Sequence, residues 1–378
     1  MFFEGAISAD SHVLEPPACF SEYIDPGFRD RAPRIELDGL GRHVYVIEGL
    51  TTLIPVGMVD GAGMLPSMRT VHILKATFET CRRSAWDPEY RLADQERDGI
   101  AAEIIYPSVG LIVVSHADID YKDACIEAYN RWLEGFCAGL PGRLFGLGLT
   151  SVRSVDAAID DFQRARARGF VGMMLPGIPH FEDYDHPDFD ALWQCAVDLK
   201  MPVCFHILSG RGPRSVAKLL KKQVRGKRMN DFMRVIRDVQ DVIGTMLLGG
   251  VFERHPGLKM VSAEADAGWM PHWAYRLDHA AYNETDDGIV NGLSKVPSEY
   301  LRSNVFTTFQ DDWVAFATKD LMNYKQLLWA NDFPHPDSTW PNSQKLLAKH
   351  AANLSEAERK AILRDNVQQL FNLPAPAT

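Results

Sequence analysis

The sequence predicts a (β/α)8 barrel of the α/β class, with an insertion after its first strand. Three observations predict it: eight short apolar runs, helical segments between them, and a length of 378 residues that suits one large domain over 1–378. Strands alternating with helices imply parallel pairing through crossover helices. A doubly wound open sheet shares that alternation and is the alternative.

The first run, Ala6 to Val13, ends in Asp10-Ser11-His12, and strand periodicity puts Asp10 and His12 on one face. Residues 16–85 show no strong helical period and read as an insertion covering the barrel mouth. Within them, Arg34–Leu37 and His43–Ile47 alternate around a glycine turn, as a hairpin does, and Pro55–Ser67 looks irregular. From Asp87-Pro88 the chain becomes regular, with a helix that Gly99 ends. Strand Ala102–Pro107 follows, then helix Asp120–Gly139 with Ala128, Trp132 and Phe136 four residues apart. Next come strand Leu144–Leu149, a helix capped by Ser154, strand Phe170–Leu175 and helix Pro187–Leu199. Pro202–His206, Leu258–Glu264, Val305–Phe309 and Leu327–Asp332 complete the strands, and Leu373–Thr378 is a short tail.

The net charge of -10 and pI near 5.6 argue against nucleic-acid binding. No run reaches the roughly 18 apolar residues of a membrane helix, and no signal peptide opens the chain. Six scattered cysteines without a C-x-x-C pair suit a reducing cytoplasm, so a cytoplasmic protein is expected.

Barrel enzymes carry their chemistry at the C-terminal ends of strands. Here strand one ends in Asp10 and His12, strand five in His206, strand six in Glu264 and strand eight in Asp332. Ordinary core packing would place Val, Gly or Ala there, because buried carboxylates and imidazoles need partners. The joint pattern predicts a metal site.

These strand ends, with Asp10-Ser11-His12-Val13-Leu14-Glu15-Pro16, Phe252-Glu253-Arg254-His255-Pro256 and Ala330-Asn331-Asp332-Phe333-Pro334-His335, resemble the amidohydrolase superfamily. The nearer likeness is to its branch of aminocarboxymuconate-semialdehyde and γ-resorcylate decarboxylases. The resemblance implies that Asp10, His12, His206 and Asp332 hold a divalent ion, Zn or Mn. The sequence departs from that branch at strand six, where Glu264 stands in place of a catalytic His. Glu264 is then a base or itself a ligand. With Glu15 and His335 as further ligands, the donors suffice for two ions, including Fe. A carboxylated-lysine bridge is not expected, since no Lys lies in Phe170–Pro176.

Outside the strand ends, His255 reads as structural at the barrel bottom, His186 as a helix entry, and His272 and His279 as packing or surface groups. Tyr106, His116 and His180 follow strands on the catalytic face and are substrate-binding candidates, as are Gln310, Asp311 and Asp312. Between Arg211 and Arg237 basic residues crowd around a single acid, Asp231. That stretch reads either as a solvated helix face or as a lid whose Arg211 and Arg214 attract an anionic substrate.

The expected function is metal-dependent hydrolysis or decarboxylase-like C–C lysis of a small anionic organic molecule. Glu264 shuttles the proton, and Asp332 both ligates and orients water. Two alternatives remain at this level: a dinuclear Fe/Mn oxygenase using Glu15, Glu264 and His335, and a metal-stabilised subunit without turnover that supports a paralogous partner. Barrels of this sort commonly pair through outer helices, which allows a homo-oligomer.

Overall fold

The computed structural model describes residues 2–51, 53–209 and 227–374. Eight parallel strands run in sequence order around a barrel: β1 (Ala6–His12), β2 (Ile100–Tyr106), β3 (Leu144–Leu149), β4 (Gly172–Met174), β5 (Val203–His206), β6 (Met260–Ala263), β7 (Val305–Phe309) and β8 (Leu327–Trp329). Their residues are almost all buried, as continuous apolar runs covered on both faces must be. Register pairs His12 with Tyr106 and His206 with Ala263, so the chemically interesting ends finish at one level.

The barrel closes where the chain beyond β8 returns to β1. Asp332 N donates to Asp10 O at 3.0 Å, and His12 N to Phe333 O at 2.7 Å. Asn331 reinforces this seam: its N–H donates to Ser8 Oγ, and its Oδ1 accepts from Ser11 Oγ, both at 3.0 Å.

The expected caps are present. Asp87 accepts from Glu89 N ahead of helix Pro88–Asp98, which Gly99 ends at φ 73°. Ser154 caps helix Val155–Ala167. A 3-10 turn, Pro187–Phe189, precedes helix Asp190–Leu199.

Residues 16–85 are more structured than the sequence suggests. The hairpin gains a third strand, Ile54–Pro55, and the stretch read as irregular contains helices Val56–Val59 and Pro66–Lys75. The latter buries none of its side chains, so it carries no core-facing stripe for a periodicity argument to find. This segment meets the β8 loop, with Gly61 N and Ala62 N both donating to Pro334 O at 3.0 Å.

Of the basic stretch, Lys227 onward forms helix Lys227–Leu248, whereas Arg211 and Arg214 lie outside the described residues. Among the described residues no helix is long and apolar enough to cross a membrane.

Candidate metal centre

Asp10, His12, His206, Glu264 and Asp332 meet at the strand ends. His12 Nε2 is 3.3 Å from Asp10 Oδ1, 3.4 Å from Asp332 Oδ1 and 3.6 Å from Glu264 Oε2. His206 Nε2 is 3.2 Å from His12 Nε2, 3.0 Å from Glu264 Oε2 and 3.7 Å from Asp10 Oδ1. Each imidazole is held from behind: His12 Nδ1 lies 2.8 Å from Pro107 O, and His206 Nδ1 2.8 Å from Ile207 O. A carbonyl accepts only from a protonated Nδ1, so both Nε2 atoms turn toward the carboxylates, as metal-binding histidines do.

His335 joins them. Ser108 Oγ donates to Val13 O at 2.7 Å, so it accepts from His335 Nε2–H at 2.9 Å. That fixes His335 Nδ1 toward Asp332 Oδ1, 3.1 Å away, while its ring stacks on His12 with centroids 3.9 Å apart. The donors form two overlapping sets, Asp10-His12-His206 and His12-Glu264-Asp332-His335, each within 4.8 Å.

Electrostatics bind this cluster together. Burial raises Asp10 and Glu264, but the neighbouring His206 and His12 hold both carboxylates below their ordinary range. Burial lowers His206, yet Asp10 and then Glu264 push it up to about 10. Burial and the Glu264 charge raise Asp332 well above the carboxylate range, and burial together with His12 depresses His335.

The residues present fit a divalent ion. Asp10 Oδ1 and both Asp332 oxygens are buried without a hydrogen-bond partner, which is costly unless something cationic satisfies them. Asp10 and Glu264 raise His12 and His206, and protons on those imidazoles put positive charge at the place where a dication would sit. The donor set is nitrogen and oxygen without sulfur, which suits Zn or Mn. Two donors also carry unusual backbone: Glu264 and Asp332 sit at φ 54° and 53°, a left-handed region costing roughly 1–3 kcal/mol each.

Other expected site residues lie elsewhere. Glu15 is held by backbone: its Oε1 accepts from Ser108 N and Gly110 N, and its Oε2 from Val109 N, at 2.9–3.1 Å. Engaged by three amides, it belongs to neither donor set. His116 is also held by backbone, since its Nε2 reaches Glu48 O at 2.7 Å and its Nδ1 accepts from Asp118 N. His180 is exposed on the loop after β4. Tyr106 is fully buried, with its ring 5.2 Å from His206 and 6.0 Å from His12. Asp312 caps helix Trp313–Ala317 and accepts from Ala267 N and Gly268 N, and His255 pairs with Asp190.

Sequence reasoning missed Thr308, Ser108 and Arg91. Thr308 Oγ1 donates to Asp10 Oδ2 at 2.9 Å and accepts from Glu264 N at 2.8 Å. Buried Arg91 pairs with Glu103 and donates to His12 O at 3.1 Å. A threonine pair inside an apolar strand was the available signal for Thr308, while Arg91 reads in sequence as a solvated helix face.

A family profile described as Amidohydrolase matches residues 43–373. The 2-amino-3-carboxymuconate-6-semialdehyde decarboxylase of Dictyostelium discoideum is 21% identical over 300 residues, covering 78% of this chain and 79% of that protein. The gamma-resorcylate decarboxylase of Rhizobium sp. is 23% identical over 269 residues, covering 65% and 75%. A 5-carboxyvanillate decarboxylase from Novosphingobium aromaticivorans, crystallised with manganese and 3-methoxy-4-hydroxy-5-nitrobenzoic acid, superimposes with TM-score 0.69 at 19% identity, over 98% of this chain and 97% of that one.

Proposed function

We propose, from the premise that this chain belongs to the amidohydrolase family, that it is a metal-dependent lyase removing CO2 from a small aromatic or unsaturated carboxylate. The observation that carries this reading is the convergence of Asp10, His12, His206, Glu264 and Asp332 around orphaned carboxylate oxygens at the barrel mouth. The substrate class is supported by the decarboxylase names of the relatives and by the aromatic acid in the Novosphingobium structure.

Asp10, His12, His206 and Asp332 would hold the ion, with His335 beside them. When bound, the ion supplies a fixed positive charge that orients an anionic substrate. Pro107 O and Ile207 O keep the two imidazoles in the tautomer that leaves Nε2 free to ligate. Glu264, the partly exposed member at 13% of its side chain, moves the proton. Ionised at rest between His12 and His206, Glu264 takes up a proton from solvent and passes it to the carbon bearing the substrate carboxylate. The C–C bond then breaks, its electron pair returns to the organic framework, and CO2 leaves. Glu264 is left ionised again, so carboxylate plus one proton gives R–H plus CO2. A second reading, hydrolysis with Glu264 as base, is favoured by the ionised state that His12 and His206 impose on that carboxylate.

Mn-loaded protein is to be incubated with hydroxybenzoates and followed for CO2 and decarboxylated product. The expected result is equal amounts of both, lost on chelation and restored by Mn2+. Glu264→Gln should slow turnover roughly 10²–10⁴-fold with ion content unchanged. Ester or lactone cleavage with no CO2 from any carboxylate would refute the lyase and favour hydrolysis.

A further inference from the structure

A second group of donors lies outside the barrel centre, between β1 and β2. Asp60, His72 and Cys81 bring a carboxylate oxygen, an imidazole nitrogen and a thiol within 4.8 Å of one another. Asp60 is 2% exposed and Cys81 7%. The local chain path makes this meeting close. Helix Val56–Val59 lies so near helix Pro66–Lys75 that a Cβ at Gly57 would stand 2.5 Å from the His72 carbonyl oxygen. Glycine there lets His72 approach Asp60, and Arg82 N fixes the carboxylate by donating to Oδ2 at 2.7 Å.

Two polar atoms of the cluster are left unsatisfied. Asp60 Oδ1 and His72 Nε2 are buried without hydrogen-bond partners, and Nε2 stands 3.5 Å from Asp60 Oδ2. A buried polar atom left without a partner is costly. The nearby Arg82 does not resolve this: its Nε is 4.0 Å from Asp60 Oδ1, and its guanidinium lies over the Trp340 ring at 4.1 Å. Two donors on a tetrahedral ion stand about 3.4 Å apart, close to the spacing of the imidazole and carboxylate.

We infer that Asp60, His72 and Cys81 form a second cation site, separate from the barrel centre, that takes a borderline-soft dication such as Zn2+ with solvent as fourth ligand. Sulfur distinguishes the two sites, since the barrel set is nitrogen and oxygen only. An ion here ties helix Pro66–Lys75 to the segment whose Gly61 and Ala62 amides hold Pro334 O, just before His335.

The test loads the barrel with Mn2+ and then titrates Co2+, whose bond to a thiolate gives a near-ultraviolet charge-transfer band. The expected result is a band that saturates at one equivalent per chain. It should vanish in both Cys81→Ser and His72→Ala, while manganese content and far-ultraviolet circular dichroism stay unchanged. Should Cys81→Ser fail to fold, His72→Ala decides alone, because it keeps the thiol. Absence of the band in the wild type, or its survival in a folded variant, overturns the site.

Discussion

Replacing Thr308 by Val removes one hydroxyl at nearly constant shape and tests how the centre is held. In the wild type that hydroxyl donates to Asp10 Oδ2 at 2.9 Å and accepts from Glu264 N at 2.8 Å, at a fully buried position. Valine strands a carboxylate oxygen and a backbone N–H together. At roughly 1–3 kcal/mol for each stranded group, the variant should lose about 2–6 kcal/mol of stability. Loosened Asp10 and Glu264 should also weaken ion binding by roughly 10–100-fold. Thr308→Ser keeps the hydroxyl and deletes one methyl, so it should cost only about 1 kcal/mol and leave affinity near wild type. Urea unfolding and competition with a chromophoric chelator measure both quantities. A Thr308→Val protein within about 0.5 kcal/mol of wild type, with unchanged ion affinity, would refute the assignment of Thr308 as the link between strands β1 and β6.

Three further outcomes are expected. Glu15→Gln places an amide NH2 against at least one of the N–H groups the carboxylate now accepts, so stability should fall by roughly 1–3 kcal/mol. Ion content should stay constant, and loss of bound metal would make Glu15 a ligand. The ion-free protein should also be sensitive to alkali. His206 is raised from an ordinary 6.5 to about 10, so its contribution is fully present below pH 6.5 and is lost as pH rises through about 10. Melting temperature of chelated protein should therefore fall between pH 7 and 10. Because a ligating imidazole must be neutral, Mn2+ binding near neutral pH should release protons, read as a dependence of calorimetric heat on buffer ionisation enthalpy. Titrations without proton release would remove His206 from the coordinating set.

The barrel was readable because its strands are buried on both faces and end in residues that packing alone would not choose. Asp10 and His12 stood out as a same-face pair on one strand, which requires only a period of two, and His206, Glu264 and Asp332 as polar groups closing other apolar runs. The partners of Glu15 were not readable because they depend on where residues 108–110 turn, some 90 positions away. Ser108 and Thr308 carry hydroxyls that suit a strand, a turn or a core equally well. Arg91 occupies a helix whose charged residues resemble a solvated face until Glu103 is known to lie opposite. Helix Pro66–Lys75 escaped notice because it contributes nothing to the core. The left-handed backbone at Glu264 and Asp332 is imposed by the strand-end loops, against the preference of either residue.

The seam between β1 and β8 gives the centre a history as well as a geometry. Ser8 and Asn331, which stitch it, are 323 positions apart. At roughly 5–20 residues per second, a ribosome needs about a quarter of a minute to a minute to make that distance. During that time Asp10 and His12 are joined first by His206 and then by Glu264, and the set stays incomplete. Capture waits for Asp332, so the last barrel strand to be synthesised is the one that commits the protein to its ion. A ribosome stalled before that point releases a chain that competes poorly for the cell's metal pool.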